Sequence, residues 1–205
     1  MEKHTSQRKW DLHFMKEARL WMERSKCLSR QIGAVLVQGK HSIIASGYNG
    51  PPMGVPHCDC RDDSGNYVSE GTMLRTVEPN GVFGNDPVTT CPRQRMGFKS
   101  GEGMEHCVAI HAEINPIMQA AREGRSTVGA TLYAYCGTPC VNCMKEIIQA
   151  GIKRIVCLGK SGSSYAPIKD GDNPAKKEYN FPLSEQICIL AGIQLDVISE
   201  EDING

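Results

Sequence analysis

The sequence predicts an α/β fold in one domain, a sheet covered by helices on both faces, and three observations carry this reading. Through the second half of the chain, short β-rich apolar runs alternate with longer amphipathic segments. The first half opens with a helical period followed by two strand-length runs. With 205 residues, 40% of them apolar, the chain can bury one substantial core and has little room for a second. Residues 1–205 therefore read as a single domain.

From Trp10 to Glu23 the apolar residues Trp10, Phe14, Ala18, Trp21 and Met22 recur at helical spacing, with Lys16, Glu17 and Glu23 at polar positions. This is the first amphipathic helix. The runs IGAVLVQ (32–38) and SIIASGY (42–48) are separated by Gly39, Lys40 and His41, which predicts an antiparallel hairpin. Residues from about 49 to 107 have another character: Gly, Pro, Asp and Asn are scattered without a sustained period. A loop of that length inside a compact domain signals either function or an added ordering device. After it the rhythm is regular. It predicts a helix from about Ala112 to Arg122, the strand TLYAY (131–135), a helix from Cys140 to Ala150 and the strand RIVCL (154–158). A polar loop (161–180), a last helix within LSEQICILAG and a last strand IQLDVI (193–198) follow. No internal repeat or low-complexity tract is visible.

Lys plus Arg number 23 and Asp plus Glu number 23, so no global field draws the protein to nucleic acid or to an anionic bilayer. An anionic ligand must be small and locally held. The start MEKHTSQRKWD has no apolar h-region, and no stretch of ~18 apolar residues occurs, which predicts a cytoplasmic protein. Ten cysteines in that setting read as metal ligands and buried thiols rather than as disulfides.

Two motifs carry the chemistry: HAEIN at 111–115 and TPCVNC at 138–143. With Thr138 as N-cap and Pro139 at the first helical position, Cys140 and Cys143 project from one side of a first turn and can reach one ion. The positive end of the helix favours the thiolates that zinc requires. Two thiolates and the His111 imidazole leave the fourth tetrahedral position to water, which separates a catalytic site from a closed structural one. Glu113, two residues beyond His111, is then placed to take and return that water's proton. The order H-x-E followed by P-C-x-x-C is the signature of zinc nucleobase deaminases. A purely structural zinc would have no use for Glu113.

Beyond these motifs, RSKCLSRQIGAVLV (24–37), SGYNGPPMGVPHC (46–58), HCVAIHAEIN and TPCVNCMKEIIQAGIKRIV together resemble the deoxycytidylate deaminase branch of the cytidine deaminase superfamily. The resemblance covers most of the chain. It implies a three-layer α/β/α sandwich around a five-stranded mixed sheet, and zinc-dependent hydrolysis of dCMP to dUMP and ammonia, feeding thymidylate synthesis. It also implies a homohexamer regulated by dCTP with Mg²⁺ and by dTTP. By motif, zinc falls to His111, Cys140 and Cys143 and the proton shuttle to Glu113. Asn49 in GYN matches the position that hydrogen-bonds the pyrimidine nucleotide, with a turn-forming Asn before Gly50 as the alternative. Ala112, between His111 and Glu113, is expected to touch substrate with them.

A phosphate needs local cations, and Arg24, Lys26 and Arg30, with Ser25 as a hydroxyl donor, are the candidates. In the insert, Cys58, Cys91 and Cys107, with His57, Cys60 and His106 nearby in sequence, suffice for a second, structural zinc, as in some members of the family. A metal can order a loop that has few large apolar residues. The fourth ligand is open. Cys136, Cys157 and Cys188 fall in or next to apolar elements and read as core thiols. Cys27 has no assigned role. Two departures from the family are Pro116, which distorts the helix start if it lies past the first turn, and an insert longer than usual. The competing functions are deamination of another base or of a 5-modified dCMP, and a zinc-stabilised interaction module without activity. The even charge balance speaks against a polynucleotide substrate.

Overall fold

Each predicted strand is present in the computed structural model, which describes residues 6–59, 64, 66, 90–99, 101–159 and 179–205. Helix α1 (Ser6–Met22) leads into strands β1 (Gly33–Gln38) and β2 (Ser42–Tyr48). These pair antiparallel, with a register shift between Leu36 and Val37. Strand β3 (Thr131–Ala134) pairs antiparallel with the other edge of β1, and β4 (Arg154–Leu158) and β5 (Gln194–Ile198) add in parallel. The order is β2-β1-β3-β4-β5, a mixed five-stranded sheet.

The side-chain alternation of the strands builds two cores. On one face Ala34, Leu36, Leu132, Ala134 and Ile155 pack with residues of α3 (Asn115–Arg122), α4 (Val141–Gln149) and α5 (Phe181–Leu190). On the other, Val35, Val37, Tyr133 and Val156 meet Phe14, Met15 and Ala18 of α1 and Ile203 of α6 (Glu200–Asn204). The expected three layers result. Helix α1 lies so close to β1 that a Cβ on Gly33 would stand 2.1 Å from the Ala18 carbonyl oxygen. It is also clamped by charge: Arg154 on β4 donates to both Asp11 oxygens at 2.7 and 2.8 Å, and the Tyr133 hydroxyl donates to Oδ1 at 2.8 Å.

The differences from the sequence reading lie at helix ends. Helix α1 begins at Ser6 rather than Trp10. His111–Ile114 form a turn, closed by Ile114 N–H to His111 O at 3.1 Å, so α3 starts at Asn115 instead of Ala112. Pro116 consequently sits in the first turn, where its missing amide would have had no partner, and the predicted distortion is absent. Cys140, not Thr138, holds the N-cap position of helix α4, without a side-chain capping bond, and the Thr138 hydroxyl instead donates to Glu185. The last predicted helix begins two residues earlier, at Phe181, after Asn180 in left-handed backbone (φ 36°) accepts from Leu183 N–H. The short α6 was not anticipated, although Ser199 caps it by accepting from Asp202 N–H. The insert is not structureless: it contains the one-turn helix α2 (Pro92–Arg95) and a 3₁₀ turn (Met104–His106).

Candidate active site

The site forms where the strands end. Asn49 follows β2, Ile32 precedes β1, Cys136 follows β3 and Leu158 ends β4, and all four line one cleft of about 450 Å³. Clefts outside the carboxyl ends of parallel strands are where α/β sheets bind ligands. The long insert does not pull this edge apart, because Gly50 and Ile110 form a two-way bridge, Gly50 N–H to Ile110 O at 3.2 Å and the reverse at 2.8 Å. His111 therefore starts beside the end of β2. Asn115 donates to the Tyr48 carbonyl, and Gly47 allows this approach, since a Cβ there would stand 2.7 Å from the Asn115 Cβ.

His111, from the turn before α3, meets Cys140 and Cys143, from the start of α4. Its Nδ1 lies 3.2 Å from the Cys143 sulfur and 3.5 Å from the Cys140 sulfur. All three ligand atoms fall within 4.8 Å of one another, and among the described residues no other His, Cys, Asp or Glu group of three does so. The hydrogen bond to Cys143 pulls the Cys140 thiol well below its ordinary range, with the His111 contact adding to this against burial. The hydrogen bond with Cys140 raises His111 against burial. Two sulfurs and an imidazole nitrogen at this spacing are the donor set of a two-thiolate, one-imidazole zinc centre, whose groups give up their protons when the ion binds. The residues present fit zinc.

Glu113 is 4% exposed and lines the same cleft. Burial raises its pKa against the opposing charge of His111. The carboxyl meets its own backbone N–H and, at 3.6 Å from Oε1, the weak donor Cys136, while Oε2 has no hydrogen-bond partner. A carboxyl group kept this dry and this poorly bonded is available for proton transfer.

The other expected site residues divide. Asn49 lines the cleft, but most of its amide is spent on the frame: Oδ1 accepts from Ile32 N–H and lies 2.8 Å from the Ser25 hydroxyl, and Nδ2 donates to the Arg30 carbonyl. One amide proton remains for a ligand. Ser25 is buried and does not line the cleft, because its hydroxyl is committed to Asn49. Arg30 stands at the cleft, whereas Arg24 and Lys26 do not. Ala112 is fully buried in the core and also off the lining. Residues that sequence reasoning missed are Arg93 of α2, Tyr179, Phe181 and Thr138. Arg93 lies in an aperiodic stretch and Tyr179 at the end of the polar loop, so no local pattern could have singled them out.

In the insert, Cys58 is pushed up to about 12 by burial, with the charges of Cys27, Cys107 and Cys91 adding to it. Cys58, Cys91, Cys107 and the unassigned Cys27 are thus neighbours, though not at ligand spacing. His57 is buried, while His106 stacks on Phe98 with ring centroids 5.5 Å apart and faces Glu105 at 3.5 Å. Cys60 lies outside the described residues. Cys136, Cys157 and Cys188 are buried core thiols as expected.

The chain is similar to known proteins in sequence and in fold. Residues 8–159 match the family model described as the cytidine and deoxycytidylate deaminase zinc-binding region. A deoxycytidylate deaminase of Schizosaccharomyces pombe is 35% identical over 148 residues, which are 72% of this chain and 36% of that protein. One of Enterobacteria phage T2 is 37% identical over 149 residues, 68% of this chain and 74% of that protein. The chain thus spans about a third of the yeast relative's length and about three quarters of the phage relative's. The dCMP deaminase of cyanophage S-TIM5, solved in complex with dCMP and dUMP, superposes with a TM-score of 0.57 at 21% identity, covering 96% of this chain and 100% of that one. That likeness concerns the fold, and it agrees with the sheet order and layers above. With a matching family model over most of its length, close relatives among the deaminases and the His111, Cys140 and Cys143 triad beside Glu113, the chain belongs to the zinc-binding cytidine and deoxycytidylate deaminase family.

Proposed function

We propose that this protein hydrolyses dCMP to dUMP and ammonia, with zinc at His111, Cys140 and Cys143 and with Glu113 as the proton shuttle. The observation that carries the proposal is Glu113: a buried carboxyl group with an unpartnered oxygen, in the cleft that His111 and Cys140 line. Zinc bound there lowers the pKa of water toward ~7 and so supplies the nucleophile at neutral pH. Glu113 takes a proton from the attacking water and places it on N3 of the cytosine. It then delivers a second proton to the amino nitrogen as the C4–N bond breaks. The water oxygen stays at C4 as the uracil carbonyl, and the nitrogen leaves as ammonia. The remaining Asn49 N–H and the aromatic rings of Tyr179 and Phe181 are available to hold the base.

Family relationship supports three further parts of the reading. Regulation by dCTP with Mg²⁺ and by dTTP is one, and a hexameric assembly is another. A second zinc at Cys58, Cys91 and Cys107, with the fourth ligand open, is the third; two zinc ions per chain, reduced to one in Cys91→Ser, is the expected stoichiometry. Among the described residues no helix is long and apolar enough to cross a membrane, and the nine described cysteines are free thiols.

The test is ammonia release from dCMP, 5-methyl-dCMP, CMP, deoxycytidine, dCTP and a single-stranded oligonucleotide, with and without dCTP and dTTP as effectors. Turnover fastest on dCMP supports the proposal. Preference for 5-methyl-dCMP or for the oligonucleotide replaces the substrate, and no ammonia from any of them leaves a zinc-stabilised interaction module.

A further inference from the structure

We infer that Arg93 is the cation by which the cleft selects a nucleoside monophosphate over a nucleoside, an inference that rests on the deaminase reading above. Arg93 lies on α2, within the insert, and lines the same cleft as His111 and Glu113 while only 5% exposed. A guanidinium this deeply buried is costly unless its N–H groups are bonded and its charge is balanced. Here neither condition is fully met. Nη1 donates to the Glu102 carbonyl at 2.6 Å and the guanidinium also hydrogen-bonds the Tyr179 side chain, but Nε has no partner, and among the described residues no ion pair involves Arg93.

The described residues contain two buried side-chain polar atoms without partners, Arg93 Nε and Glu113 Oε2, and both belong to residues of this cleft. The acceptor is accounted for by the reaction. The donor is accounted for by an anion delivered with the substrate. A phosphate monoester carries nearly two negative charges at neutral pH and offers oxygens that match the guanidinium fork. Arg30 borders the cleft from the segment before β1, so the anion would meet two guanidinium groups from separate parts of the chain. Of the two, Arg30 is exposed and therefore screened by solvent and salt, whereas Arg93 is not. The discriminating charge is the buried one.

A structural role is the competing account, since Arg93 also fastens the insert through Glu102. Two measurements separate them in the zinc-loaded full chain. The first is steady-state kinetics of wild type, Arg93→Gln and Arg93→Lys on dCMP and on deoxycytidine. The second is calorimetric binding of dUMP and of deoxyuridine, which needs no turnover. Loss of a charged hydrogen bond should raise KM for dCMP and Kd for dUMP roughly ten- to a hundredfold in Arg93→Gln, less in Arg93→Lys, with kcat changed little. Activity on deoxycytidine and affinity for deoxyuridine should stay within about twofold. Parallel losses on nucleotide and nucleoside, or an unchanged dUMP affinity, would overturn the inference. Should Arg93→Gln lose its zinc or its cooperative melt, Arg93→Lys decides on the same criteria, because it keeps the charge and gives up the fork. Arg93-dependent binding of dUMP without ammonia release from dCMP would refute the proposed reaction and leave the phosphate site standing.

Discussion

Replacing Glu113 by Gln keeps the shape of the side chain and removes its charge, and the structure sets opposite signs for the effects on rate and on stability. Glu113 is 4% exposed, has one thiol at 3.6 Å from Oε1 and nothing at Oε2. A buried polar group without partners costs about 1–3 kcal/mol, more when charged. An amide in the same place still lacks partners but has no charge to desolvate, so it should recover only part of that cost, about 1 kcal/mol. The rate should move the other way, because a positioned acid–base group contributes about 10²–10⁴-fold, or roughly 3–5 kcal/mol of activation free energy. Zinc content should not change, as Glu113 is outside the triad. The assay is ammonia release from dCMP, with zinc per chain and the urea midpoint measured on the same preparations. Zinc lost in step with activity would make Glu113 a ligand. A variant less stable than wild type by more than about 1 kcal/mol would show that the carboxylate supports the fold, against the reasoning from its unpartnered oxygen.

Three other outcomes are expected. Asp11→Asn should cost about 3 kcal/mol at pH 7, since it removes the buried partner of the partly buried Arg154. Burial raises the Asp11 carboxyl, but its bonds to Arg154, Gln7 and Tyr133 outweigh this and hold it below 3.8. Its contribution is therefore complete above pH 3.8 and lost as pH falls through the lower folded value, so the gap in urea midpoint between wild type and Asp11→Asn should close on acidification; a constant gap would contradict this. Gly33→Ala should destabilise by about 2 kcal/mol or more, because the new methyl meets the α1 backbone, and thermal melts should show it while zinc content stays at the wild-type level. Asn49→Ala should lower stability by a similar amount and weaken dCMP and deoxycytidine alike, since it strips partners from Ile32 N–H, the Arg30 carbonyl and the Ser25 hydroxyl. A loss confined to dCMP would instead assign Asn49 to the phosphate.

What the sequence disclosed and what it hid follow the range of the interactions involved. The strands, the hairpin and the metal triad are written in local periods and in spacings of two and three residues, and these survive almost unchanged. Helix starts shifted because a turn such as His111–Ile114 reads like helix in any composition window. Asn49 shows the limit most clearly. As a residue of a GYN motif it promised substrate contact, yet its partners Ser25, Arg30 and Ile32 lie 17 to 24 residues upstream and claim most of its amide. Arg93 and Cys27 were hidden for the same reason, since their importance arises only when the insert folds back on the segment before β1.

The insert's closure at its base explains how so long a segment coexists with an intact triad. The Gly50–Ile110 bridge fixes the end of β2 beside His111 whatever lies between them, so the triad and Glu113 depend on the sheet and on α3 and α4. Yet the insert returns Arg93, Met104 and Cys107 to the cleft wall. Reaction chemistry and substrate choice are thereby carried by separate parts of the chain: the sheet edge holds the proton-transfer machinery, and the loop decides which anion may sit above it. Changes within the insert should accordingly move KM values between substrates before they move zinc content, whereas changes at Gly47 or Asn115, where α3 is locked to β2, should disturb both together.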